Sequence, residues 1–331
     1  MHAPSDRKPA RHAPAVAILL LASLAAPVTA QVRFEVEYST DATTATLTSA
    51  EKNYIATFVS EAGRRWLQYI PVQGARTITV RVTLDNSPTA NSASAYGAPI
   101  GNMDGHDLLE QAVAYELLTG NDLNGDDPDA VLNIGANYLR NELWFDPDPT
   151  TRLAPMPQNR TDALSVMLHE FGHMLAYNGW ADGHGNQDIV HWSTFDAWII
   201  PGDPAVFAGP AADVAWNGQP DLTTNNTYHW GNPPATTTPR TAGSEHCIAG
   251  NPAWSAGNPV PRRCDAPYSR DRRVQTDAAL QGGGPGDQEH ELMFGLYFLR
   301  GTRYDITTLD QGVLQDIGLR LDTIFDNGFE G

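Results

Sequence analysis

Between Thr161 and Gly179 the chain reads TDALSVMLHEFGHMLAYNG and contains His169-Glu170-Phe171-Gly172-His173. On a helix, residues four apart share one face one turn apart, so both histidines can reach a zinc ion (Zn2+) at about 2.0–2.1 Å. Glu170 falls roughly 100° further round the helix, beside the coordination position open to a water, and is the natural general base. The plainer reading of such a pair is two histidines hydrogen-bonded on a core helix. A catalytic zinc needs a third protein ligand and an open position. The residues alone leave His229, His290, His184 and His191 as candidates, with Glu245, Glu289 and Glu291 as carboxylate alternatives.

The surrounding pattern supplies a helix to carry the pair. Thr161 or Asp162 is a good N-cap, and Ala163, Leu164, Val166, Met167, Leu168 and Phe171 give the broad apolar surface of a buried helix. Asn178-Gly179 supplies a left-handed stop. Upstream, a short strand is expected around Phe34 to Val36. Thr48-Ser49-Ala50-Glu51 fits a capping box opening a helix through Leu67, and Thr77 to Leu84 alternates as a β-branched strand. His106 to Leu118 reads as a second helix, with His106 at its start in a packing or capping role, and Ala130 to Ile134 and Glu142 to Phe145 read as short strands. This order predicts an α+β fold, with helices packed on a mainly mixed sheet. Pro201 to Gly286, dominated by Pro, Gly, Asn and Thr, predicts a loop-rich subdomain; order returns at Glu291 to Phe294 and in a terminal helix over Ile306 to Ile317.

The N-terminus reads as a targeting segment. Arg7, Lys8 and Arg11 precede the apolar run Ala15 to Ala26, and Val28-Thr29-Ala30 offers small residues for cleavage near Ala30. The run is too short to span a membrane. Residues 1–30 are thus expected to be a signal peptide, 31–320 a single catalytic domain and 321–331 a short tail, with the protein secreted to the periplasm or beyond. The full chain carries 21 Lys+Arg against 39 Asp+Glu. Such an acidic balance disfavours nucleic acid and anionic membranes as partners. Cys247 and Cys264, the only cysteines, read as one disulfide in an exported chain, which would contribute about 3 kcal/mol by closing its loop. No cysteine precedes His169, so no thiol is available upstream to latch the zinc.

The chain resembles the metzincin clan of zinc metallopeptidases, most closely leishmanolysin-like enzymes and a group of secreted bacterial predicted peptidases. The resemblance is carried by HEFGHMLAYNGW from His169, Tyr228-His229-Trp230-Gly231, Glu291-Leu292-Met293 and Leu309 to Gly318. The clan's usual continuation, a glycine three residues after the second histidine and a third histidine three later, is replaced here by Ala176 and Gly179. In leishmanolysin-like enzymes the third histidine follows a long insertion. His229, 56 residues after His173, is the matching position. The resemblance thus implies His169, His173 and His229 as zinc ligands, Glu170 as catalytic base, and Met293 as the apolar floor beneath the metal. A tyrosine that assists some metzincins two residues beyond that methionine is here Gly295, leaving Tyr297 or Tyr304 to take such a role.

The implied activity is a secreted zinc endopeptidase acting on protein or peptide substrates. The alternatives are a non-catalytic secreted binding protein that keeps the fold, and a zinc amidase acting on cell-wall peptides. Asp122-Leu123-Asn124-Gly125-Asp126-Asp127 has the composition of a calcium loop but lacks a glutamate at the end of a twelve-residue loop, and reads first as an acidic turn. The tail, Ile324 to Glu330, is similar to short C-terminal tails of secreted Gram-negative proteins.

Overall fold

The computed structural model describes residues 32–188, 190–231, 290–295 and 298–319. The expected signal segment, the Cys247–Cys264 pair, Glu245, Glu289, Tyr297 and the tail lie outside these residues. The described chain is a mixed α+β arrangement of several small sheets. In order it runs through β1 (Val32–Tyr38), α1 (Ser49–Trp66), β2 (Arg76–Asp85), β3 (Ala90–Ser94), β4 (Gly97–Met103), β5 (His106–Gln111), α2 (Ala112–Thr119), β6 (Ala130–Gly135), α3 (Ala163–Leu175), α4 (Pro210–Trp216) and α5 (Thr308–Asp316), with shorter strands between.

The largest sheet has the order β1-β2-β6-β3. β1, β2 and β6 run parallel, and β3 closes the edge antiparallel to β6. Alternation in β2 puts Ile78, Val80, Val82 and Leu84 on the buried face, where they share one core with α1 and α3. The expected capping box starts α1: Glu51 N donates to Thr48 Oγ1 at 3.2 Å, and Thr48 N donates to Glu51 Oε2 at 2.7 Å. Trp66, in the last turn of α1, donates its indole N–H to the Leu168 carbonyl at 2.9 Å, tying α1 to the middle of α3.

The segment read as a helix from His106 divides in two. His106–Gln111 is strand β5, antiparallel to β4 and parallel to the strand His191–Ser193, and the helix starts only at Ala112. Glu110 faces inward at a position where an apolar residue would have displayed the two-residue period, and so hid the strand. His106 stacks on Trp192, with ring centroids 4.3 Å apart, and has the expected packing role without capping anything. Glu142 to Phe145 is also shorter as a strand: a π-turn, Tyr138–Glu142, precedes the two-residue strand Leu143–Trp144. The described start of the loop-rich region holds more order than its composition suggests, including α4 and a hairpin over 222–230. The terminal helix begins later than its apolar pattern, at Thr308, behind a Thr307–Asp310 capping box. Among the described residues, no helix is long and apolar enough to cross a membrane.

Glu110 carries a pH dependence. It is fully buried, accepts hydrogen bonds from Gln111 N at 2.8 Å and Thr194 Oγ1 at 3.1 Å, and leaves Oε2 without a partner. Burial pushes its carboxyl up to about 8. The unfolded chain releases this proton in the ordinary glutamate range while the folded chain keeps it, so stability falls as pH rises between about 4.5 and about 8. Glu110→Gln should therefore gain thermal stability over the parent chain, by several degrees at about pH 8 and by little at about pH 4.5. An advantage that does not change with pH in parallel melting curves would mean that Glu110 titrates normally.

Candidate metal centre

All thirteen residues of α3 are buried, which is why its sequence is apolar almost all round. Asp162 caps it, accepting from Ser165 N at 3.0 Å, and is itself held by Arg152 Nη2 at 2.6 Å in an ion pair with both side chains buried. Gly172 is required by its neighbour: a Cβ there would lie 2.4 Å from Met293 Sδ, and Met293 is fully buried. The methionine thus packs directly against the turn of α3 that links the two histidines.

His229 arrives on the strand Asn226–Trp230. Trp230 N donates to Met293 O at 2.8 Å, and Gly295 N donates to Trp230 O at 2.9 Å, so the Glu291–Gly295 segment fastens this strand beside α3. The three imidazoles meet through Nε2. The separations are 3.2 Å for His169–His173, 3.2 Å for His169–His229 and 3.0 Å for His173–His229.

The opposite ring atoms fix the tautomers. His169 Nδ1 faces the Leu292 carbonyl at 2.8 Å and His173 Nδ1 faces the Tyr177 carbonyl at 2.7 Å. A carbonyl only accepts, so both Nδ1 atoms carry the proton and both Nε2 atoms present lone pairs to each other. Protonating them is disfavoured. Burial, followed by the charge of His173, pushes His169 down to about 3, and burial pushes His173 down to about 4. His229 is also held well below the usual histidine range, by burial and then by His173 and His169. A proton on His229 Nε2 can be directed at only one of its two neighbours and leaves the His169–His173 contact unrelieved; its own buried Nδ1 has no hydrogen-bond partner.

A cation relieves all three contacts at once. Three nitrogens at tetrahedral angles and about 2.05 Å from a common ion lie about 3.3 Å apart, close to the observed spacing. The three-histidine group can hold a metal ion, and its second ring atoms on two carbonyls are the usual outer support of such ligands.

Glu170 is 3 % exposed, its Oε2 lacks a partner, and burial raises its carboxyl to about 7. Edge strand β3 is tied to α3 at two points: Ser92 Oγ donates to Glu170 O, and Ser94 Oγ to Met174 O, each at 2.7 Å. Tyr138, which no sequence signal marked, senses the Glu170 charge, its hydroxyl being pushed up first by burial and then by Glu170.

The other candidates are placed elsewhere. His184 and His290 are exposed, and His191 lies at the edge of the β4-β5 sheet, tilted against Trp180. Glu291 is fully buried but receives Thr307 Oγ1 at 2.6 Å and is not part of the histidine group. Gly295 has no room for a side chain, since a Cβ would lie 2.5 Å from His229 Cβ. Tyr304 packs behind Phe298, whose ring in turn meets His169 edge-on at 5.2 Å.

Sequence reasoning missed the outer support of His173. Tyr177, whose carbonyl receives His173 Nδ1, donates its hydroxyl to buried Asp310 at 2.8 Å, and Asp310 also caps α5. The only signal was that Asp310 lies in a segment singled out by resemblance, without a role. A scan against protein-family models, a search of curated proteins and a search of solved structures each find no match.

Proposed function

We propose that the chain is an exported zinc-dependent endopeptidase of metzincin type, with residues 31–320 as its catalytic domain. The observation that carries the proposal is the convergence of three neutral histidine Nε2 atoms, two of them from an H-E-x-x-H helix. His169, His173 and His229 would hold the zinc. When bound, zinc supplies Lewis acidity, polarising a scissile carbonyl and making a nearby water more acidic. Glu170 takes the proton from the attacking water and passes it to the leaving amine; its raised affinity for a proton suits both transfers near neutral pH. Met293 closes the apolar floor beneath the ligands, and Leu292 O and Tyr177 O hold two rings in the metal-ready tautomer.

The test is cleavage of casein or gelatin by the purified chain, blocked by a zinc chelator and restored by zinc. Zinc-loaded protein that ignores proteins but cuts cell-wall peptides would redirect the assignment to an amidase. Protein that holds zinc and cuts neither would make it a binding protein.

Tyr177→Phe tests the outer support. It removes the hydrogen bond to Asp310 that steadies the Tyr177 main chain, and zinc affinity should fall about 10-fold, the lower end for loss of an outer partner. Unchanged affinity in a chelator competition would show that the helix backbone alone fixes that carbonyl.

A further inference from the structure

A second group of carboxylates stands apart from the histidines. Glu116, in the last turn of α2, Asp122, in the loop that follows, and Asp129, just before β6, each bring a carboxylate oxygen to within 4.8 Å of the others. Glu116 and Asp129 are both only 4 % exposed. Asp129 Oδ2 accepts from Thr79 N at 2.7 Å, but Asp129 Oδ1 and Glu116 Oε2 are buried without a hydrogen-bond partner. The Arg76 guanidinium offsets them only in part: its charge lowers Glu116 by less than burial, Asp129 and Asp122 raise it, its Nη1 donates to the Glu116 main-chain carbonyl, and among the described residues no ion pair joins any of the three carboxylates to a Lys or Arg.

Buried carboxylates facing one another must share a proton or take up a cation. We propose that Glu116, Asp122 and Asp129 form a calcium site that fastens the 120–129 loop between the end of α2 and the start of β6. The donors are all oxygen, the preference of a hard cation, and they come from a helix end, a loop and a strand end, an adaptable set that suits calcium better than the strict octahedron of magnesium. The glutamate missing from the end of the Asp122–Asp127 loop is supplied from the other direction by Glu116. The same loop holds one more buried oxygen without a partner, Asn124 Oδ1, while Asn124 Nδ2 donates to Asp127 O and Pro128 O at 2.8 and 2.9 Å. Without an ion, burial and then the charges of Asp129 and Asp122 push Glu116 up to about 8, and burial raises Asp129 as well.

The test uses the full chain, freed of calcium, melted with and without calcium chloride. With a dissociation constant on the order of 10⁻⁴ M, as in extracellular calcium modules, about 10 mM calcium should raise Tm by about 5 °C, and magnesium by less. Glu116→Gln should abolish the rise. Asp122→Asn, at an exposed position and with an amide oxygen that can still accept from Asn124 N and Gly125 N, should reduce it by at least half. No rise in the parent chain overturns the site and leaves the carboxylates sharing a proton. A rise that persists undiminished in both variants overturns it too, because calcium then binds elsewhere. Neither readout depends on the histidine cluster or on peptidase activity.

Discussion

His229→Ala should strip the protein of zinc as completely as His173→Ala. Three ligands make a closed corner for the ion, and two imidazoles on one helix cannot hold it at ordinary zinc concentrations. The loss in affinity should far exceed the roughly 100-fold that removal of an outer-shell partner costs. His184→Ala, His191→Ala and His290→Ala are the controls and should keep zinc at about one ion per chain. Because His229 Nε2 is 3.0 Å from His173 Nε2 and 3.2 Å from His169 Nε2, its truncation also removes a repulsive contact in the metal-free chain. The apo variant should therefore melt no lower than the apo parent, and zinc should no longer raise its Tm. Stoichiometric zinc in purified His229→Ala would defeat the assignment of this residue.

The second large effect belongs to Glu170. Glu170→Gln keeps the volume and burial of the side chain while removing its basicity, so zinc content should match the parent and kcat/KM should fall about 10²–10⁴-fold. Glu170→Ala should behave likewise. Paired measurement of zinc content and peptide hydrolysis separates this from a folding defect: turnover near the parent level would mean that another group takes the proton, and loss of zinc would mean that Glu170 supports the ligands instead.

The parts of the molecule legible in the sequence are those where one physical rule dominates. The Thr48–Glu51 box starts α1, the alternation from Ile78 to Leu84 makes β2, and the apolar run around His169 makes a buried helix because nearly every position of α3 meets protein. Strands β3 and β4 escaped notice because Ala90–Ser94 is built of small and polar residues and Gly97–Met103 is interrupted by Pro99 and Gly101, so both are held by backbone pairing without an alternating apolar face. At the histidine cluster, spacing pointed to His169 and His173, whereas His229 rested on resemblance. Its approach depends on main-chain pairing of Trp230 with Met293, which has no side-chain signature. The Tyr177 carbonyl was invisible for the same reason.

The most direct test of the proposed zinc site is X-ray absorption at the zinc edge of the full chain loaded with one equivalent of metal. Three imidazole nitrogens and one oxygen at about 2.0–2.1 Å are expected, with the imidazole count falling to two in His229→Ala if any zinc is retained. A first shell in the parent protein with fewer than three imidazoles, or with sulfur, would contradict it.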